Sequence, residues 1–229
     1  MSNNHSGAAQ DLLMEIESKD ILVLLAPGIE EMEAVITIDT LVRAGFNVTT
    51  ASTAFDGRLD ILCSRGVTLV ADTTIAKVAD DEFECIVLPG GAEGAKCFRD
   101  SPLVIEIIKQ QICDQRWVAA ICASPALVLA HHNIYPQAFM TCHPDFASHI
   151  PEYYLKTKRV MVDTIHNLIT SQGPGTAQEF ALEIVSQLTS KQHATDTAAP
   201  MVLLPSIVFS AQSIENQKKI WKQSNKMNS

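Results

Sequence analysis

Three stretches of this chain are apolar without alternation: residues 21–26, residues 85–89 and Trp117–Ile121. A strand with one wet face alternates polar and apolar side chains. Unbroken runs this short therefore fit strands buried on both faces, as in a parallel sheet covered by helices. Each run stops at turn-forming or small residues: Pro27-Gly28, Gly90-Gly91, and Cys122 followed by Ala123 and Ser124. Helical spacing follows the first run over residues 30–44, with Met32, Val35, Ile36 and Leu41 as its apolar positions and Gly45 as its stop. Residues 103–112 and 123–131 read as further helices, and 176–188 as a last long one. Residues 46–52, 67–71, 139–142, 159–163 and 167–171 read as strands. Strands alternating with helices predict an α/β sandwich with a mainly parallel sheet.

The chain has 229 residues, 47% hydrophobic and 19% charged, which fits one sizeable domain with tails. We place an N-terminal extension at residues 1–19, with a short amphipathic piece near 12–16, the α/β domain at 20–190, and a C-terminal tail at 191–229. The tail is Thr/Ala/Pro-rich, then apolar over 201–209, then Lys-rich. It is expected to dock through its apolar piece and to be mobile elsewhere. A net charge of −9 argues against a general nucleic-acid surface. No cationic start with an apolar core marks a secretory signal, and no run approaches the ~20 residues that span a bilayer. Six cysteines without framework spacing or a C-x-x-C pair fit reduced thiols in a cytoplasmic protein.

Cys122 has the context that predicts chemistry. It joins an apolar strand to a helical segment whose Pro125 suits a first turn. A thiol at a helix N-terminus is favoured as thiolate, and the layout is that of a nucleophile elbow with Cys in place of Ser. Cys85 lies inside an apolar strand and reads as core, and Cys97 and Cys113 fall in helical segments without ligand partners.

Ligands of parallel sheets bind beyond the carboxyl ends of the strands, which brings residues 30–33, Gly90, Gly91 and Cys122 to one edge. Gly90-Gly91 is either a plain tight turn or, with Ala123, a source of amides for an oxyanion hole. Glu30, Glu31 and Glu33 open a helix, where carboxylates are favoured in any case, and a solvated face accounts for two of them. One carboxyl beside the thiol would be raised by the like charge and could shuttle a proton. His143 is either a polar residue leaving a strand or a partner of Cys122, oriented by Asp145. His131 and His132 read as a helix end, and no metal site is expected. Arg65 reads as a surface ion pair or as a contact to an anionic substrate.

Five segments together carry a resemblance. They are Ala26-Pro27-Gly28-Ile29-Glu30-Glu31-Met32-Glu33, Cys63-Ser64-Arg65, Val87-Leu88-Pro89-Gly90-Gly91, Ala119-Ala120-Ile121-Cys122-Ala123-Ser124-Pro125 and Thr170-Ser171-Gln172-Gly173-Pro174-Gly175-Thr176. In this order and spacing the chain resembles the ThiJ/PfpI superfamily, in the branch of the parkinsonism-associated protein deglycase and its bacterial relative YajL. The resemblance runs over about residues 21–188. It implies a flavodoxin-like three-layer sandwich and a homodimer. It implies Cys122 as an oxidisable nucleophile, Glu33 as its protonated partner, Gly90, Gly91 and Ala123 around an oxyanion hole, and His143 beside the thiol. Ser124 stands where the family often has Gly, adding a hydroxyl as a substrate or anion contact, and Gln172 stands where some members carry Arg.

The activity implied is a cofactor-independent glyoxalase or deglycase acting on small aldehydes or glycated thiols and amines, with a role in oxidative stress. A redox-sensing chaperone with little turnover is the alternative from another class. A cysteine hydrolase, protease or amidotransferase-like domain built on Cys122, His143 and Asp145 is a third, and an older family label points to thiazole monophosphate biosynthesis.

Overall fold

The computed structural model describes residues 18–203. The expected amphipathic piece at 12–16 and the tail from residue 204 onward lie outside the described residues. Strand β1, Asp20–Leu25, leads through α1, Glu31–Arg43, to β2, Asn47–Ser52. A hairpin of β3, Asp60–Leu62, and β4, Thr68–Val70, precedes the short β5, Thr73–Thr74. Then come β6, Cys85–Leu88; α2, Ala92–Asp100; α3, Pro102–Cys113; and β7, Trp117–Ile121. The remaining elements are β8, Val160–Asp163; β9, Leu168–Ser171; α4, Ala177–Leu188; and α5, Lys191–Ala198.

Seven strands form one sheet in the order β5-β2-β1-β6-β7-β9-β8. All neighbours run parallel except β8 against β9. The three apolar runs are its centre, with Val23 beside Val87 and Val87 beside Ala119, all fully buried. From β1 the chain steps one way to β2, and from β6 it steps the other way to β7. Right-handed crossovers then put α1 and α3 on opposite faces and open a crevice at the carboxyl ends between β1 and β6. On one face α1 packs on α4 and α4 on α5, and on the other α3 packs on α2, β6 and β7. The result is three layers, α/β/α, as expected. Local signals agree: Gly45 ends α1 at φ +80°, and α3 starts at a Ser101 cap with Pro102 in its first turn.

Four expectations are corrected. Residues 67–71 do not join the main sheet, because β4 turns back on β3 through Gly66 at φ +96°. Residues 139–142 do not form a ladder strand. The amides of Phe139 and Thr141 are taken by the side chains of Asp163 and Thr170, leaving a single bridge from Met140 to Leu155. The helix after Cys122 is a wide turn over Pro125–Ala130, with His131 N–H reaching back five residues to the Ala126 carbonyl. Finally, the described chain stays packed past residue 190, over Lys191–Ala198. Helix α5 is capped by Ser190, buries Ala194 and Thr197, and ties His193 Nε2 to the Ala44 carbonyl at 2.8 Å.

Candidate active site

Three strand ends meet at the crevice: the loop from β1 into α1, the loop from β6 into α2, and the elbow after β7. Main-chain bonds lock them together. Glu30 N–H donates to the Gly90 carbonyl at 3.0 Å, Cys122 N–H to the Ser171 carbonyl at 2.9 Å, and His143 N–H to the Cys122 carbonyl at 2.8 Å.

Glu33 is fully buried in the first turn of α1 and accepts the Gly90 N–H on Oε2 at 2.7 Å. Its other oxygen, Oε1, is buried without a hydrogen-bond partner. Burial pushes this carboxyl up to about 8, against the Gly90 amide and the Cys122 thiol, with the nearby Glu30 charge adding to the rise. At neutral pH Glu33 is therefore mainly a neutral acid. Gly90 is what permits the approach. A Cβ there would overlap Cys122 Cβ, and it would lie 2.6 Å from Glu33 Oε2 and 2.9 Å from the Ile121 carbonyl. Gly91, at φ +85°, would drive a Cβ into the Gly28 carbonyl.

Cys122 takes the left-handed conformation, φ +64°, which is uncommon for a residue with a Cβ and belongs to strained strand-to-helix elbows. The residue is 8% exposed. The amides of Gly91 and Ala123 point at the sulfur and pull its proton affinity down, but burial first and the Glu33 charge second push the thiol up to about 12. The elbow alone thus does not give the resting thiolate that its place in the sequence predicts. The short wide turn after it supplies less dipole than a regular helix, and burial offsets the amides. With Glu33 neutral, the charge contribution to that rise is gone.

A cavity of about 470 Å³ opens over the sulfur, lined by Gly91, Cys122, Arg65, His143 and Phe146 among others. The structure brings Cys122, Glu33, Gly90, Gly91 and Ala123 together and sets His143 on the wall. His143 caps its own turn, accepting the Asp145 N–H on Nδ1 at 3.3 Å. The Arg65 guanidinium is exposed and makes no ion pair among the described residues, so the surface ion pair expected of it is not formed. Ser124 is a correction too. Its hydroxyl is fully buried and donates to the Pro89 carbonyl at 2.6 Å, so it does not reach a substrate.

The acids of α1 are also not a solvated face, since Glu30 and Glu31 are each only 7% exposed. Glu30 caps α1 by accepting the Glu33 N–H at 2.8 Å. Glu31 gathers the N–H groups of Arg65 and Val67 and the Ser64 hydroxyl. Burial raises Glu31, but these bonds outweigh it and hold the carboxyl below its usual range. This role in fixing the loop under Arg65 has no sequence signal, because an acid in a first turn looks the same whether wet or buried. Among the described residues no three His, Cys, Asp or Glu side chains cluster as a metal site would require.

Residues 19–187 match the model of the DJ-1/PfpI family. The chain belongs to that family. Among DJ-1/PfpI relatives, Drosophila melanogaster protein dj-1beta is 40% identical over 81% of this chain and 98% of its own length. A Caenorhabditis elegans relative named glutathione-independent glyoxalase DJR-1.2 is 34% identical over 81% of this chain and 97% of its own. The solved structure of oxidized Toxoplasma gondii DJ-1 superposes with a TM-score of 0.78 at 37% identity, over 81% of this chain and 98% of that one. The flavodoxin-like sandwich is thus the DJ-1/PfpI fold, and the family match spans the whole α/β core together with the loops that build the site. No described helix is long and apolar enough to cross a membrane.

Proposed function

We propose that this chain is a cofactor-independent glyoxalase that turns methylglyoxal or glyoxal, free or as thiol or amine adducts, into the hydroxy acid. The observation that carries the reading is the closed contact of Glu33, Gly90 and Cys122, with two amides on the sulfur. The glyoxalase name of the C. elegans relative supports it. Sulfur adds to the aldehyde carbon, and the π pair moves to oxygen beside the Gly91 and Ala123 amides. The ionised form of Glu33, about half of the molecules near pH 8, takes the thiol proton and returns it to that oxygen. The hydrogen of the former aldehyde carbon then moves as a proton to the neighbouring carbon, and the hydroxyl proton of the adduct passes to the second carbonyl oxygen, leaving the thioester of the hydroxy acid. Water cleaves the C–S bond, releasing the hydroxy acid and restoring the thiol. One carbon is oxidised and its neighbour reduced, so no outside oxidant is needed.

A second reading is a redox sensor with little turnover, in which the same amides hold an oxidised sulfur; it is favoured by the oxidized state of the T. gondii relative's structure. Under either reading we assign the half-exposed Met32 and Val35 on α1 to a homodimer face. Lactate formation from methylglyoxal, measured without glutathione for wild type, Cys122→Ser and Glu33→Ala, decides between them. Wild-type turnover lost by about 10³-fold in the serine variant supports the enzyme. Equal rates in all three sink it.

A further inference from the structure

His143 reads from the sequence as a candidate base for Cys122, but its ring is held in a way that prevents this. Nδ1 accepts the main-chain N–H of Asp145 at 3.3 Å, while the largely exposed carboxylate of the same residue stands off at 3.6 Å, too far for a hydrogen bond. A ring nitrogen that accepts an N–H carries no proton of its own, so in the neutral ring the proton sits on Nε2. Pro144 occupies the first position of the turn Pro144–His149 and has no amide to offer, so the Asp145 amide is the donor the cap uses. On the far side of the ring, Cδ2 faces Gly173, where an added Cβ would come within 3.4 Å of it. The Nδ1 edge is thereby fixed by the cap, and the Cδ2 edge looks toward Gly173 across a gap that a methyl group would fill. His143 lines the cavity together with Cys122, and its Nε2 has no hydrogen-bond partner among the described residues. The backbone bond from His143 N–H to the Cys122 carbonyl fixes this wall relative to the sulfur.

We infer that His143 presents an Nε2–H donor to the substrate's second carbonyl oxygen, with the Asp145 main-chain amide as its positioning group, and that it does not take the Cys122 proton. The donor role rests on the glyoxalase reading; the ring state does not. In the internal proton shift the second carbonyl gains electrons as its carbon is reduced, and a fixed donor there stabilises that charge. Glu33 is then left as the group that moves protons, and Arg65 remains at the cavity wall for an anionic part of the substrate.

Two measurements on the full chain test this. Long-range proton–nitrogen correlation of ¹⁵N-labelled protein at about pH 8, where an unperturbed imidazole is neutral, reads the ring directly, with His143→Gln identifying the signal. A pyrrole-type Nε2 and a pyridine-type Nδ1 are expected, retained in Asp145→Asn and scrambled in Asp145→Pro, which removes the amide donor. A proton on Nδ1 in the wild type overturns the inference. Methylglyoxal turnover reads the role: His143→Leu should lose about 10²-fold in kcat, and His143→Gln, which keeps an N–H donor but offers no basic nitrogen, should recover most of it. Gln as poor as Leu overturns the donor role. A wild type without turnover would instead remove the glyoxalase reading, and the nitrogen spectrum would still decide the ring state.

Discussion

Strands β6 and β7 lie side by side, and each carries a buried cysteine at one end. Cys85 opens β6 at its amino end, opposite Trp117, and Cys122 follows the carboxyl end of β7. Both are packed in the core, and burial raises both thiols. At Cys85 burial is the whole account, and the thiol is driven far above its ordinary range, with only a weak contact to the Ile86 carbonyl at 3.8 Å. At Cys122 two amides, a titrating carboxyl and an open cavity are added. Similar burial therefore gives an inert thiol at one end of the sheet and a candidate nucleophile at the other. What differs is the set of main-chain donors that the carboxyl ends of parallel strands leave for the turns beyond them.

Crowding Gly90 should break the contrast most strongly. In Gly90→Ala the new methyl meets Cys122 Cβ, a backbone carbonyl and Glu33 Oε2; the first two cannot swing aside, and the third, though a side-chain end, is buried and held by the Gly90 amide. We expect a loss of about 1–3 kcal/mol in chemical denaturation and at least about a 10²-fold fall in turnover as the pair is pushed apart. Cys85→Ala, at the other end, should cost about 1 kcal/mol and leave turnover unchanged. A Gly90→Ala enzyme of normal activity would show that the close contact is not needed.

Glu33→Gln sharpens the contrast by pH. The folded-state value of Glu33 stands at about 8 against an ordinary 4.5, so folding favours the protonated form. Wild-type stability from this group is full below about 4.5 and is lost as pH rises to about 8. The amide keeps the shape and does not titrate. Its stability relative to wild type should grow by about 1.4 kcal/mol per pH unit across that window, while activity falls about 10²-fold. A difference that stays flat with pH in urea melts would mean that Glu33 is ionised in the folded protein.

The sheet centre and the elbow were legible because an unbroken apolar run followed by small residues allows few other structures. Ile21, Val87 and Ala119 had to be buried, and Cys122 had to stand at a strand end. Partners set by three-dimensional approach were not legible. Nothing in the string Glu30-Glu31-Met32-Glu33 tells which carboxyl meets a thiol and which ties down the Arg65 loop. Residues 139–142 look like a strand because their apolar content says nothing of Asp163 and Thr170 taking their amides. The state of the thiol is not legible for a related reason: a helix start is visible in sequence, whereas the depth at which the sulfur lies is not.

Ser124 puts the smallest effect on the same boundary. Placed two residues past the nucleophile, its hydroxyl invites a role in binding, and deleting a hydrogen bond to substrate at such a site would lower kcat/KM by about tenfold or more. In the fold the hydroxyl turns away from the cavity and donates to Pro89 at 2.6 Å, fastening the β7 elbow to the β6 loop that carries Gly90 and Gly91. Its removal should therefore be felt in folding and hardly in chemistry. Ser124→Ala is expected to lose about 1–2 kcal/mol in denaturant titration, since a buried carbonyl forfeits this donor, with kcat/KM within about threefold of wild type, because the amides still point at the sulfur. A tenfold fall in kcat/KM at unchanged stability would move Ser124 back to the substrate side. The carboxyl end of the sheet would then owe its reactivity to side chains as much as to the main chain.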